Sequence, residues 1–383
     1  MSALYLLEPH HPGADWEPWT GVRPIAELRA GAWRIRERWE RALGVAASGI
    51  VGAHVDRFVD VDTPPVVAAV PDDSFLAAAW FAPSAGRIEL GPGVRRLVHR
   101  GETVACIAPA GGALGLDDSG PAQEIEGVRL RGAFDLLRAL ELLLAADCSE
   151  AGPGSAPLPA GTIILGPAER IVLQGAVVEP GVVFDVRAGG VVLEAGAEVR
   201  SGTRLEGPCW VGASARVVGG FVRGSVIGPR CVVRGEVSSS VFVGYANKAH
   251  DGFVGHSVIG HWANLGAGTT TSNLKNTYGP IRLEADGARI ETGRTFLGSL
   301  IGDHAKTAIG TMLPTGTIIG AGANVFGGAP VPKHVRPFTW GADGERVSEE
   351  GFLRVAGRVL PRREVELTPE RAASLAATYR RLA

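Results

Sequence analysis

Between Ile301 and Val325 the chain repeats every six residues. Ile301, Thr307, Leu313, Ile319 and Val325 keep that step, with Gly302, Gly310, Gly316, Gly320 and Gly322 among them. Phe253, Ile259, Leu265 and Thr271 hold the same step upstream, and shorter runs (Ile171, Val177, Val183; Val211, Val217; Phe221, Ile227, Val233) extend it with slips of register. Six residues suit neither the 3.6-residue period of a helix nor the alternation of a half-buried strand. They suit a three-sided coil in which each hexad is one side, with one inward residue stacked on its equivalent in the next coil. Tight corners use backbone angles that a β-carbon resists, so glycine accompanies the pattern. The 54 glycines among 383 residues are about twice ordinary usage. The repeat predicts a left-handed parallel β-helix of hexapeptide repeats over residues 161–332.

The first 148 residues read differently. Ala3 to Leu7 reads as a strand, and Pro24 opens a helix over Ile25 to Leu43 with Leu28, Ala32, Ile35, Trp39 and Leu43 as its buried stripe. Arg34, Arg36, Arg38 and Arg41 fall mainly on its other sides. Val66 to Val70 and Ser74 to Phe81 are apolar runs, and Phe134 to Ala146 is rich in helix formers. This predicts an α/β domain over 1–148. Residues 149–160 have the Pro, Gly, Ser and Ala content of a linker. Residues 333–383 form a tail closed by a helix from Pro369 to Leu382, N-capped by Thr368, that packs on the solenoid or a neighbouring subunit. Asn273 to Arg294 interrupts the hexads and suits a binding wall thrown out from the coils.

Composition excludes several classes. Lys and Arg (38) nearly balance Asp and Glu (40), which argues against nucleic-acid and anionic-membrane partners. No apolar run approaches the ~20 residues of a membrane span, and the N-terminus lacks the pattern of a secretory signal. Cys106, Cys148, Cys209 and Cys231 have no CxxC spacing and read as reduced thiols of a cytoplasmic protein. A histidine-bound metal needs ligands from adjacent coils, and no histidine lies between His99 and His250, so no metal is expected.

The densest polar cluster is Tyr245–Phe253, containing Asn247, Lys248, His250 and Asp251. Such residues are costly among hexad interiors without partners or a ligand. Histidine is the side chain most suited to proton transfer at cytosolic pH, so His250 is the candidate general base that takes a proton from an attacking amine or hydroxyl. The corner Gly266, Ala267 and Gly268 is a candidate source of backbone N–H donors for a thioester oxyanion. Lys248, Lys275 and Lys306 are candidate phosphate ligands of a substrate or of coenzyme A, while His256 and His261 read as structural. Hexapeptide solenoids commonly host acyl-CoA-dependent transferases assembled as trimers, which is an association and not a physical necessity.

The run KAHDGFVGHSVIGHWANLGAGTTTSNLKN (248–276) resembles the acetyltransferase half of the bifunctional bacterial enzymes that make UDP-N-acetylglucosamine. It is more similar still to a divergent branch, the UDP-N-acetylglucosamine diphosphorylase/glucosamine-1-phosphate N-acetyltransferases, in segments 22–40, 247–257, 264–279, 301–312 and 324–327. The resemblance implies that His250 is the base that deprotonates the 2-amino group of glucosamine 1-phosphate, with acetyl-CoA as donor. It implies that Asn264 and Asn273 hold the amino sugar. Phe253 stands where the family has a tyrosine that touches the sugar phosphate, and Lys248 and Lys275 stand in for the family's phosphate-binding basic residues. The first domain then corresponds to a nucleotidyltransferase. Its glycine-rich LxxGxGTRL loop is replaced by Trp19-Thr20-Gly21-Val22-Arg23-Pro24, leaving Arg23 and Arg29 as candidates for nucleotide phosphates. That makes it a degenerate nucleotidyltransferase-like domain, which would use UTP and Mg2+ if active. The alternatives are acyl transfer to another, nucleotide-linked amino sugar, and a non-catalytic sugar-nucleotide-binding trimer.

Overall fold

The computed structural model describes residues 3–52, 54–109, 114–152, 157–341 and 344–383. Part of the expected linker, 153–156, lies outside the described residues. In the N-terminal part, Leu4–Leu7 pairs in parallel with Ala47–Val51 and Phe75–Ala78 within a seven-stranded sheet, in which Glu102–Ile107 pairs antiparallel with both Phe75–Ala78 and Arg96–His99 and the edges are Ala122–Glu124 and Val66–Val67. Two helices accompany it, α1 (Ile35–Leu43) and α2 (Asp135–Glu150).

The expected helix over 25–43 forms only from Ile35 onward. Ile25–Glu27 is a single 3-10 turn, and Arg29–Ala30 folds back on Trp33–Arg34 around Gly31. Gly31 has φ +69°, and a β-carbon there would lie 2.4 Å from both Nη2 of Arg38 and Oδ2 of Asp147. That carboxylate also accepts the N–H of Ala32 at 2.8 Å. The long-range contact therefore overrides local helix preference. The arginines expected on the outer sides are drawn in with their counter-charges. Arg34 and Arg36 share Glu27, Arg36 reaches Glu40 at 2.9 Å, and Arg38 pairs with Asp147 in the interior.

The second half is a parallel β-solenoid. A nine-stranded face runs from Ile171–Leu173 to His334–Val335, and a second face runs from Ile163–Leu165 through Asn247–Lys248 to Thr339–Trp340. The interior holds Ile227, Val233, Ile259, Leu265, Ile301, Leu313, Ile319 and Val325, as the hexads require. The expectation fails at Val177, which is 60% exposed, and at Val183, Phe221 and Phe253, which are only half-buried. The interrupting segment folds as an antiparallel hairpin, Ile281–Ala285 with Ala288–Arg294. Its Arg294 ion-pairs with Glu141 on α2.

The two halves share one apolar core. Trp210, Val226, Val241, Val258, Leu300 and Ile318 project outward from the nine-stranded face and pack with Trp33, Leu140 and Leu144 of the N-terminal part. After the last coil come α3 (Glu349–Val359) and α4 (Pro369–Leu382). Thr368 caps α4, its hydroxyl accepting the N–H of Arg371. The α4 helix docks on both halves: Ser374 accepts the N–H of Val59 at 3.0 Å, and Tyr379 packs on Phe338 with ring centroids 4.7 Å apart.

Candidate active site

His250 lies on the corner that follows Asn247–Lys248. A column of glycines builds this corner. A β-carbon at Gly220 (φ +95°) would lie 2.4 Å from the Gly235 carbonyl oxygen, and one at Gly252 (φ +135°) would lie 2.4 Å from the Thr269 carbonyl oxygen. Coils therefore stack here closer than any side chain allows. Lys248 fixes the corner from inside. It is fully buried, and its Nζ donates to the carbonyl oxygens of Arg234 (2.9 Å) and His250. Burial pushes its pKa down to about 8, with Asp251 pulling the other way. Lys248 is thus a brace under His250, correcting the expectation of a phosphate ligand.

The His250 side is exposed, and among the described residues its ring has no hydrogen-bond partner. It borders an open depression with Arg234, Asp251, Ala267 and Gly268. Asp251 is held by Nε of Arg234 at 3.1 Å. The same corner column continues upward, because the N–H of Gly310 donates to the Ala267 carbonyl at 2.7 Å. There the surface becomes an apolar groove of about 760 Å3, with Ile309 (78% exposed), Met312 (67%) and Phe326 along it.

Of the expected oxyanion donors, the N–H groups of Gly266 and Gly268 are otherwise engaged. The Gly266 N–H donates to the Thr307 carbonyl at 3.0 Å and the Gly268 N–H to the Asp251 carbonyl at 2.9 Å, both within the ladder. Lys306, half-buried in the same row as Asn264 and Asn324, donates to the His304 carbonyl at 2.8 Å, and burial brings its pKa down to about 8. Lys275 folds onto the Pro280 carbonyl at 2.6 Å at the base of the hairpin.

Asn264 belongs to a polar ladder. Its Oδ1 accepts from Asn247 Nδ2 at 2.9 Å, Asn247 Oδ1 accepts from Arg363 at 3.1 Å, and Asn264 pairs in turn with Lys306 and then Asn324 in successive coils. Asn273 and Phe253 meet elsewhere. Both side chains fill the space a β-carbon on Gly255 would need, at 2.7 and 2.4 Å. Asn273 also hydrogen-bonds Nδ1 of His256 at 2.8 Å, and that ring stacks on Phe296, centroids 5.0 Å apart. The structure so gathers His250, Ala267 and Gly268 around one depression, and Phe253 and Asn273 around His256. Asn247, given no role in the polar cluster, and His256, read as structural, are the neighbours that organise these contacts. The one-coil spacing of Asn247, Asn264 and, past the hairpin, Lys306 and Asn324 was the available signal for the ladder.

Burial, with Arg294 adding to it, takes the His256 pKa down to about 4. The unfolded chain protonates this ring near pH 6.5 and the folded chain only near 4. Stability therefore falls as pH drops through that window. His256→Asn keeps a residue tolerant of the positive φ (45°). We expect a shallower acid-side loss of stability in that variant, read from urea midpoints at pH 7, 5.5 and 4.5.

Arg23 and Arg29 are not at a nucleotide surface. Arg23 is 1% exposed, its Nε on Asp303 (2.7 Å) and its Nη2 on Asp60. Burial opposes its charge, and the two carboxylates more than offset that. Arg29 donates to the Val243 carbonyl of the solenoid at 2.8 Å. A separate cleft of about 380 Å3 opens where Leu4–Leu7 ends, bordered by Glu8, His10, Trp80, Thr103 and Asp118. Ligands of sheets with parallel strands collect at such carboxyl ends. Glu8 itself accepts the N–H groups of Ile25 (2.7 Å) and Ala26 (2.9 Å). Among the described residues no three His, Cys, Asp or Glu converge as a metal cluster.

Residues 6–147 match the sugar nucleotidyl transferase family. Parts of the chain are also similar to GlmU-type bifunctional proteins. It is 38% identical over 100 residues to a bifunctional sugar-1-phosphate nucleotidylyltransferase/acetyltransferase of Sulfurisphaera tokodaii, covering 26% of this chain and 25% of that one. It is 32% identical over 167 residues to the bifunctional protein GlmU of Jannaschia sp., covering 42% and 32%. The chain thus spans about a quarter to a third of the length of these relatives. An Arabidopsis UDP-N-acetylglucosamine acyltransferase structure aligns at 15% identity over 52% of this chain and 77% of its own, with a TM-score of 0.30, too loose to carry an argument. No helix among the described residues is long and apolar enough to cross a membrane.

Proposed function

We propose that this chain is an acetyl-CoA-dependent N-acetyltransferase that acts on an amino-sugar phosphate, with glucosamine 1-phosphate as the first acceptor to test. The observation that carries the reading is the placement of His250, an exposed imidazole braced by Lys248, on the corner column that runs into the Ile309–Met312 groove. The thioester supplies the acyl group, and its apolar chain suits that groove. The acceptor amine attacks the thioester carbonyl, the C–N bond forms as the C–S bond breaks, and His250 takes the amine proton. The exposed apolar groove and the use of the Gly266 and Gly268 N–H groups within the ladder support a homotrimer in which a neighbouring copy completes the site. Four unpaired, buried cysteines support a cytoplasmic setting.

A second activity, nucleotidyl transfer with UTP, is favoured by the family match over 6–147. Incubating the protein with acetyl-CoA, glucosamine 1-phosphate, UTP and Mg2+ separates the two, since free thiol reports acyl transfer and pyrophosphate reports nucleotidyl transfer. No thiol release with any amino-sugar phosphate would defeat the main reading.

The glycine column offers a structural check. Gly252→Ala forces a β-carbon against the Thr269 carbonyl at an unfavourable φ and is expected to cost about 1–3 kcal/mol. Acyl transfer should fall with it as the His250 corner shifts, whereas Gly287→Ala in the hairpin turn, where a β-carbon meets nothing within 4 Å, should leave acyl transfer unchanged.

A further inference from the structure

Loop 55–60, the coil corners at Trp262 and Asp303–His304, and helices α3 and α4 close around one small cavity. Its volume of about 40 Å3 exceeds the ~10–15 Å3 that a single water requires. Phe58, Trp262, Phe338 and Phe352 give it apolar walls, and Arg23 and Arg371 face it. Nη1 of Arg23 and Nε of Arg371 are both buried and, among the described residues, have no hydrogen-bond partner.

The nearby carboxylates do not answer these donors. Asp303 Oδ1 accepts from Trp19 Nε1 and the His261 N–H, both at 3.0 Å, and Oδ2 accepts from Arg23 Nε. Asp60 Oδ2 accepts from Arg23 Nη2 and His261 Nδ1, and Oδ1 from the Val61 N–H. Arg371 spends Nη1 on the Glu366 carbonyl at 2.9 Å. Two buried guanidinium donors thus remain without acceptors, and unsatisfied buried donors of charged groups are costly. What the cavity lacks is an acceptor that brings no donors of its own.

We propose that this junction binds a small oxyanion, a carboxylate or a phosphate, between Nη1 of Arg23 and Nε of Arg371, with any short apolar body against the aromatic walls. Such a ligand ties α4 to the N-terminal loop and the solenoid at one point. The site shares no residue with the His250 corner, so it stands or falls independently of the acyl-transfer reading.

The test uses the full chain and two probes, inorganic phosphate and isobutyrate, at fixed ionic strength, by titration calorimetry and thermal melting. We expect saturable binding of one of them at one site per chain and a rise in Tm. Arg371→Met should weaken that binding at least tenfold while thiol release from acetyl-CoA is unchanged. Leu375→Phe, which fills the cavity from α4, should block it too. The probe that binds separates carboxylate from phosphate. Equal binding in both variants, or neither heat nor a Tm rise with either probe at about 10 mM, overturns the proposal and leaves the cavity to water.

Discussion

His250→Ala should lower acyl transfer by about 10²–10⁴-fold, the usual contribution of a positioned general base, with oligomeric state and melting temperature unchanged. The separation of effects follows from how the corner is built. The glycine column and the Lys248 ammonium hold the backbone of residues 249–252, and the imidazole contributes nothing to that scaffold. The rate of thiol release, measured from pH 6 to 9 with saturating acetyl-CoA, reads the loss. Wild-type turnover by the variant would remove His250 from the mechanism.

The second large effect concerns stability. Asp303→Ala should destabilise the chain by about 3–5 kcal/mol, as expected when one partner of a buried ion pair is removed and the other charge is stranded. Asp303 accepts from Trp19, Arg23 and the His261 backbone, so its loss strips partners from both halves at once. Replacing Arg23 by Met in the same chain should deepen the loss rather than repair it, because the buried Asp60 carboxylate then loses its guanidinium partner. Urea unfolding followed by tryptophan fluorescence checks both variants. A loss below about 1 kcal/mol would mean that water reaches the junction and solvates Arg23.

The solenoid was legible because its period is imposed by the backbone. Ile259, Leu265, Ile301, Ile319 and Val325 point inward for no reason but their six-residue step. Val177 broke the pattern because its neighbours Ala176 and Val178 pack against the interior in its place, a one-residue offset that the spacing alone does not reveal. The final helix was legible too, since Thr368 and Pro369 write its start locally. The 25–43 segment was not. Its fold is decided by Asp147, more than a hundred residues downstream, whose carboxylate takes the Ala32 N–H and pairs with Arg38. The same holds for the candidate ligands. Polar residue types in a cluster marked one corner of the solenoid, but not which of them point outward. Lys248 and Lys306 look like phosphate ligands in a string of letters, yet Lys248 is an internal brace and Lys306 is tied to the carbonyl of His304, because a lysine next to a coil corner reaches the carbonyls of that corner first. Arg23 and Arg29 join the halves for a related reason: their acceptors, Asp303 and Val243, lie on distant coils.

The common core that joins Trp33 and Leu144 to Trp210, Val241 and Ile318 has a consequence for how such a chain is inherited and engineered. Neither piece is a cassette. A version expressed without the first 150 residues would present a greasy flank to solvent and should clump unless those outward valines and tryptophan are made polar, so any lineage that dispensed with nucleotide chemistry would still have had to keep the domain as a lid over its neighbour.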